Sequence, residues 1–298
     1  MKIKEFLKKL TILLFVKTRL ILLLEKRILK YRQLFYLDKS IFFWPLFKKL
    51  TKLDEIIVTS LYFGEYYKNL KDQNVQRKLS LLTLSDGEGA FWAKHYYENQ
   101  KGLAHRENRS IIYLETEKLI IENNLDNSKV YFVNLGSSSG LDLIHFKKKF
   151  QNMNFISSDI NEEIINFQKK NTFKDITNVD YIIGTLEDVI ENIRLKFQNN
   201  SEIKIIFFTN ATIQYVIPKF LDKAFNDLTN IKNKFYFCSS EEFRNNEKKD
   251  ISFHVKNILW HHDCKKYVEK YNLKISFYKK QDSGEDHLNQ NQNLIFSN

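Results

Sequence analysis

From residue 130 to residue 239, short apolar runs alternate with segments of helical pattern, and this alternation constrains the fold more than any other feature. The runs are VYFVNL (130–135), NFISSD (154–159), YIIGT (181–185), IKIIFFTN (203–210) and KFYFCS (234–239). Between them lie helix-patterned segments at 140–150, 162–170, 187–198 and 218–230. Strands joined by single helices pair in parallel, because a parallel pair needs a long crossover. Near-continuous apolarity in each run fits strands covered on both faces. The expectation is therefore an α/β fold with a doubly wound, mostly parallel sheet and helices on both faces. A helix around 263–271, a strand KISFYKK (274–280) and a last strand LIFS (294–297) bring the strands to seven. Upstream, SIIYLETEKLIIENN (110–124) reads as a helix that Ser110 is placed to cap. Residues 51–80 read as a polar helical bridge, and 79–100 as an apolar run, a turn at 86–89 and a helix.

The charge is as unevenly placed as the strands are regular. The 298 residues carry 47 Lys/Arg against 36 Asp/Glu, a net charge of +11. Residues 1–52 hold 14 of the basic and 3 of the acidic groups, leaving 33 against 33 in the remainder. The later domain is thus not a broadly basic nucleic-acid binder. The first segment is also rich in Leu, Ile and Phe, but its uncharged runs (10–16, 20–24, 40–47) are too short to span a bilayer. No small-residue cleavage site follows Val16, so it does not read as a signal peptide. Two readings stand side by side: a helix lying in an anionic membrane interface, and a helical extension packed on the domain or on a second subunit. An RNA-binding arm is a third. The expected divisions are 1–52, a basic amphipathic extension; 53–109, a helical bridge and substrate-side cap; and 110–298, the main domain. Cys238 and Cys264 give neither a disulfide framework nor zinc spacing. A cytoplasmic protein, peripheral at the inner face of the membrane, fits these features.

In such folds the ligand sits beyond the carboxyl ends of the strands. The first strand runs into Gly136-Ser137-Ser138-Ser139-Gly140. Gly136 can take a tight turn, Gly140 lets the helix start close to the strand, and small residues between them turn backbone N–H groups toward a ligand. The second strand ends in Asp159, 23 residues after Gly136, where a carboxylate can accept both hydroxyls of a ribose. The competing role for Asp159 is to cap the helix that starts near Glu162.

Here the sequence resembles the class I S-adenosylmethionine (SAM)-dependent methyltransferases, over roughly residues 110–280. VNLGSSSGLDL looks like that family's first motif and FISSDINEEII like its second. YIIGTLEDV resembles the third-strand segment that flanks the adenine, and IIFFTNATIQYV the fourth-strand motif. The resemblance is closest to bacterial small-molecule and sugar methyltransferases. It implies a Rossmann-like sheet and SAM as cofactor. By the same resemblance Gly136, Ser138 and Gly140 surround the methionine part, with Asn134 accepting from its ammonium. Asp159 binds the ribose, Ile160 packs on the adenine, and Thr185, Leu186 and Glu187 border it. Asn210 and Ala211 lie beside the sulfonium and the incoming acceptor. Two positions depart from the pattern: Asn134 stands where the family has an acid, and Ser138 replaces the middle glycine. The second counts against a dinucleotide, whose pyrophosphate needs closer backbone approach.

Methyl transfer to oxygen needs a group to take the acceptor's proton. His95 is the first candidate and His254 the second; His105 lies in the same stretch as His95. Trp92, Tyr96 and Tyr97 could form a platform for a sugar or another ring. The cluster His261-His262-Asp263-Cys264 invites a metal reading, but no metal is expected, because adjacent helical residues face different ways. EEFRNNEKKD (241–250) reads as a mobile loop or a solvated charge run. The expected function is methyl transfer from SAM to a small-molecule or glycan-type acceptor, at oxygen. The Asn/Asp-Pro-Pro-Tyr signature of amino methylation is absent, which argues against nucleic acid. One rival is a glycosyltransferase using Asp86 and Glu88, since LSDGEGAF (84–91) resembles the Asp-Gly-Glu loop of a bacterial glycosyltransferase family. The other is a non-catalytic, membrane-associated scaffold with a degenerate pocket.

Overall fold

The computed structural model describes residues 72–84, 93, 97–98, 110–244, 251–256, 259–282 and 289–298. The chain divides into two units, Thr83–Phe253 with Trp260–Asn298, and Met1–Leu82 with His254–Leu259. The sheet belongs to the first.

All five apolar runs become strands: β1 (Val130–Leu135), β2 (Asn154–Asp159), β3 (Val179–Ile183), β4 (Lys204–Asn210) and β5 (Phe235–Arg244). Of the helices, α1 (Gln73–Thr83) and α2 (Ser110–Glu122) precede β1. Then α3 (Leu141–Lys149), α4 (Glu162–Phe167), α5 (Leu186–Phe197) and α6 (Pro218–Thr229) make the crossovers. A hairpin of β6 (Ser252–Lys256) and β7 (Leu259–His262) leads to α7 (Cys264–Lys270), β8 (Lys274–Asp282) and β9 (Asn289–Ser297). The main sheet has seven strands in the order β3-β2-β1-β4-β5-β9-β8. The first five pair in parallel, while β9 enters antiparallel between β5 and β8.

Side chains alternate across the sheet, and the core forms two layers. Val133, Leu135, Phe207, Phe237 and Phe296 pack with residues of α5, α6 and α7 on one face. Phe132, Phe155, Phe208, Cys238 and Ile295 pack with residues of α2 and α3 on the other. The crossover helices start where the sequence offers caps. Asn161 accepts from Glu163 N at the start of α4, and Thr185 and Asp188 form a capping box on α5. Pro218 opens α6, and Asp263 accepts from Lys266 N before α7.

Several boundaries differ from the sequence expectation. The apolar run that begins at residue 79 is the last part of α1, which ends at Thr83. The third strand stops at Ile183, because Thr185 is used as a cap. α4 passes into a π-helical turn, Gln168–Thr172. Residues 241–244 are not loop but the end of β5, and Glu241 is buried. β9 starts five residues earlier than LIFS, at Asn289. Among the described residues no helix is long and apolar enough to cross a membrane.

Candidate active site

The turn after β1 takes left-handed backbone angles at three places: φ is 64° at Gly136, 49° at Ser138 and 80° at Gly140. Ser138 thus adopts the conformation that a glycine would hold freely, a strain of about 1–2 kcal/mol for an L-residue. A Cβ on Gly136 would meet Thr212 Cγ2 at 2.4 Å, and one on Gly140 would meet the Phe173 ring at 2.7 Å. Both glycines are therefore required by protein neighbours as well as by φ.

Behind the turn, Gln168 on the π-helical turn reaches in. Its Nε2 donates to Ser137 Oγ (2.8 Å) and to Ser138 O (2.6 Å). Ser137 and Ser157 hydroxyls lie 2.8 Å apart, and Ser157 Oγ donates to Gln168 Oε1 at 2.7 Å. Each proton finds an acceptor if Ser137 donates to Ser157, which closes a buried ring of three side chains. Thr172 Oγ1 adds a bond to Ser139 O at 2.7 Å. A π-bulge is a frequent device at such sites.

Asp159 closes the turn from the β2 side. Its Oδ2 accepts from Ser138 N and its Oδ1 from Asn161 N, each at 3.0 Å. Among the described residues no ion pair reaches this buried carboxylate. Burial pushes its pKa up from the ordinary 3.8, while N–H groups of Asn161, Ser138 and Ile160 pull against that. The cap of α4 is Asn161, so Asp159 is not spent on the helix start.

At the end of β1, Asn134 is buried and its Nδ2 has no hydrogen-bond partner among the described residues. At the end of β4, Asn210 Nδ2 donates to Tyr113 Oη (2.9 Å), which donates to Asp142 Oδ1 (2.6 Å). A carboxylate cannot donate, so the Tyr113 proton goes to Asp142 and the phenol oxygen receives the Asn210 amide. Ala211 follows with φ 58°, its N donating to Ser240 O at 2.9 Å. Glu241 Oε1 steadies the next residue: it accepts from Thr209 Oγ1 (3.0 Å) and Thr212 N (3.2 Å).

Register places Asn134, Gly136, Asp159, Asn210 and Ala211 at the carboxyl edge of adjacent strands β2, β1 and β4. Ile160 is half-buried next to Asp159. Thr185, Leu186 and Glu187 form the first turn of α5, after β3, with Glu187 buried. Of the acceptor-side residues, Tyr97 is helical and sets its ring edge-on to Phe167 of α4, 5.2 Å between centroids. His95, Trp92, Tyr96, His105, Asp86 and Glu88 lie outside the described residues, as does the segment 1–52. His254 is on the backbone of β6.

The His261–His262 pair lies on strand β7, not on a helix. His262 is in the core: Nε2 donates to Val216 O at 2.8 Å, so Nδ1 accepts from Ser252 Oγ at 2.7 Å. Burial, with His261 adding, pushes its pKa down to about 3. No metal-holding group of His, Cys, Asp or Glu occurs among the described residues. Cys238 and Cys264 are free and buried, and burial pushes the Cys238 thiol up to about 12. Tyr113, Gln168 and Glu241 carry no motif signal, and only folding brings them to the site; Asp142 lies within the first motif, which implies no role for it.

No family model matches the chain, and no curated protein matches it in sequence. Among solved structures, magnesium protoporphyrin IX methyltransferase from Synechocystis PCC 6803, with bound SAH, aligns with a TM-score of 0.50 at 11% identity, over 76% of this chain and 99% of that one. A SAM-dependent methyltransferase from Aquifex aeolicus aligns at 0.42 and 13% identity, over 61% and 88%. One from Clostridium acetobutylicum aligns at 0.43 and 14%, over 68% and 98%. The chain has the α/β fold of the first of these proteins, with a mostly parallel seven-stranded sheet.

Proposed function

We propose that this chain is a SAM-dependent methyltransferase acting on a small-molecule or glycan-type acceptor, at oxygen. The observation that carries the reading is Asp159. A buried carboxylate with no cationic partner among the described residues ends β2, and it is tied to the turn after β1 through Ser138 N. Both oxygens accept one backbone N–H and keep lone pairs for a pair of ribose hydroxyls. Asn134 Nδ2, buried and with no hydrogen-bond partner among the described residues, supports a role for this side chain at the methionine end of the cofactor. Its amide can meet the carboxylate or, turned over, the ammonium. Gly136, Ser138 and Gly140 shape the turn. Ile160 and the Thr185-Leu186-Glu187 turn flank the adenine position.

When bound, SAM supplies a methyl group on a sulfonium, activated for in-line displacement. The chain's own work is alignment and proton removal. Asn210, fixed by Tyr113 and Asp142, and Ala211 border the acceptor. Trp92, Tyr96 and Tyr97 offer it a platform. His95 is the group assigned to take its proton. The segment 1–52, with its surplus of cationic side chains, is assigned to an anionic membrane surface.

Calorimetric titration with S-adenosylhomocysteine tests the reading, with NAD as control and Asp159→Ala as the variant. Binding of S-adenosylhomocysteine alone, lost in the variant, is expected. A wild-type protein that binds no adenosyl ligand would end it.

A further inference from the structure

The sheet face shared by α2 and α3 is apolar along Phe208, Cys238 and Ile295, which stand in register on β4, β5 and β9. Two residues nearer the carboxyl ends of β4 and β5, the same face carries Asn210, Ser240 and Asn293, again in register. Asn291 follows on β9, opposite Glu242. Asn293 and Ser240 are 0% exposed and Asn291 is 3% exposed. Ser240 Oγ, both polar atoms of the Asn293 amide and Asn291 Oδ1 have no hydrogen-bond partner among the described residues. Native proteins rarely leave such groups unpaired, and those that persist are met by buried water or by a bound group. This set stands beside Asn210 and continues the row away from the cofactor side.

The chemistry of the row is specific. It offers hydroxyl and amide groups, donors and acceptors both, and its members Ser240, Asn293 and Asn291 carry no charge. Neighbouring strands lie about 4.8 Å apart, so successive partners must be short and closely spaced. Alternating donor–acceptor groups on a compact, neutral frame are what a hydroxyl-rich ring presents. An anionic acceptor would find no counter-ion in this row and would meet the Glu242 carboxylate opposite Asn291, and an apolar one would leave the amides unpaired. We infer that Ser240, Asn293 and Asn291 form the recognition row for an uncharged, polyhydroxylated acceptor, and that the row sets one of its hydroxyls beside Asn210. This deepens the methyltransferase reading and rests on it only for the last step.

The test uses the full chain and a panel of neutral methyl glycosides and inositol, with phenols and fatty acids as the contrasting set. Saturation-transfer NMR, with and without S-adenosylhomocysteine, reports binding, and labelled SAM reports transfer. Binding and methylation confined to the hydroxylated panel are expected. Asn293→Leu and Ser240→Ala should each lower kcat/KM at least tenfold while S-adenosylhomocysteine affinity stays unchanged. The thermal midpoint should hold or rise, since each change removes an unpaired buried group. Response to no hydroxylated compound, or variants that methylate as well as wild type, would overturn the inference. Glycoside binding without adenosyl binding would instead sink the methyltransferase reading and leave the row standing.

Discussion

Asp159 is an anion held in a place that disfavours anions, and its pH behaviour follows from that. Its folded pKa lies above 3.8 because burial outweighs the N–H bonds it accepts. The stability it contributes is therefore fully present below about 3.8 and is lost as pH rises through the folded value. Urea midpoints across pH should show this as wild type losing stability relative to Asp159→Ala as pH rises through the folded value, with the difference constant below about 3.8. Adenosyl affinity should move the opposite way, since only the ionised carboxylate accepts both ribose hydroxyls: it should fall as pH is lowered through the raised value. Tyr113→Phe tests a second residue. It leaves Asp142 and the Asn210 amide without their shared hydroxyl, and should cost about 1–3 kcal/mol by chemical denaturation. Asp159 and the glycines were legible in the sequence because each sits at a fixed offset from a strand end. Tyr113 was not, because it lies 97 residues from Asn210 and 29 from Asp142. No local pattern encodes a contact at that separation.

The elements around the turn depend on each other's shape. Gly140→Ala would place a methyl group against the Phe173 ring and force an L-residue to φ 80°. Left-handed strain and overpacking together should cost about 2–4 kcal/mol, and Phe173→Leu should recover part of it, read from thermal melts of the double variant. Gln168→Leu should open the ring with Ser137 and Ser157, costing about 1–3 kcal/mol and weakening adenosyl binding through the loosened turn. The strands and crossover helices were readable because apolar runs and caps are local signals. The polar half of β9 was not. Asn289-Gln290-Asn291-Gln292-Asn293 has the composition of a loop, yet it pairs with β5 and β8 on its two sides. Gln292 explains part of that choice: its Oε1 accepts from Cys264 N, and its Nε2 donates to His262 O. The side chain thus ties the strand to the start of α7. Glu241 was misread for a similar reason, as a charge in a charged run rather than a buried acceptor for Thr209 and Thr212.

At the scale of the molecule, charge and fold are separable. The basic surplus belongs to residues 1–52, and the proposed adenosyl site is built from residues beyond 130. Removal of residues 1–50 should abolish binding to anionic vesicles in a sedimentation assay and leave S-adenosylhomocysteine titration unchanged. Loss of the titration would instead make the segment part of the catalytic body. The strand order carries a further consequence, for the time at which the fold can be completed. During synthesis β1 to β5 leave the ribosome in an order that lets each join a neighbour already made. β8 cannot, because its place is beside β9, which follows it in the chain. Until then β5 presents an open edge, the kind that recruits other chains. β8 joins the sheet only with β9 or after it, and Asn298 fastens the end of β9 by donating to Ile231 O and Asn233 O. A nascent chain that has not yet reached residue 289 holds five strands with the outer edge of β5 unpaired, and that stage is the one most exposed to aggregation.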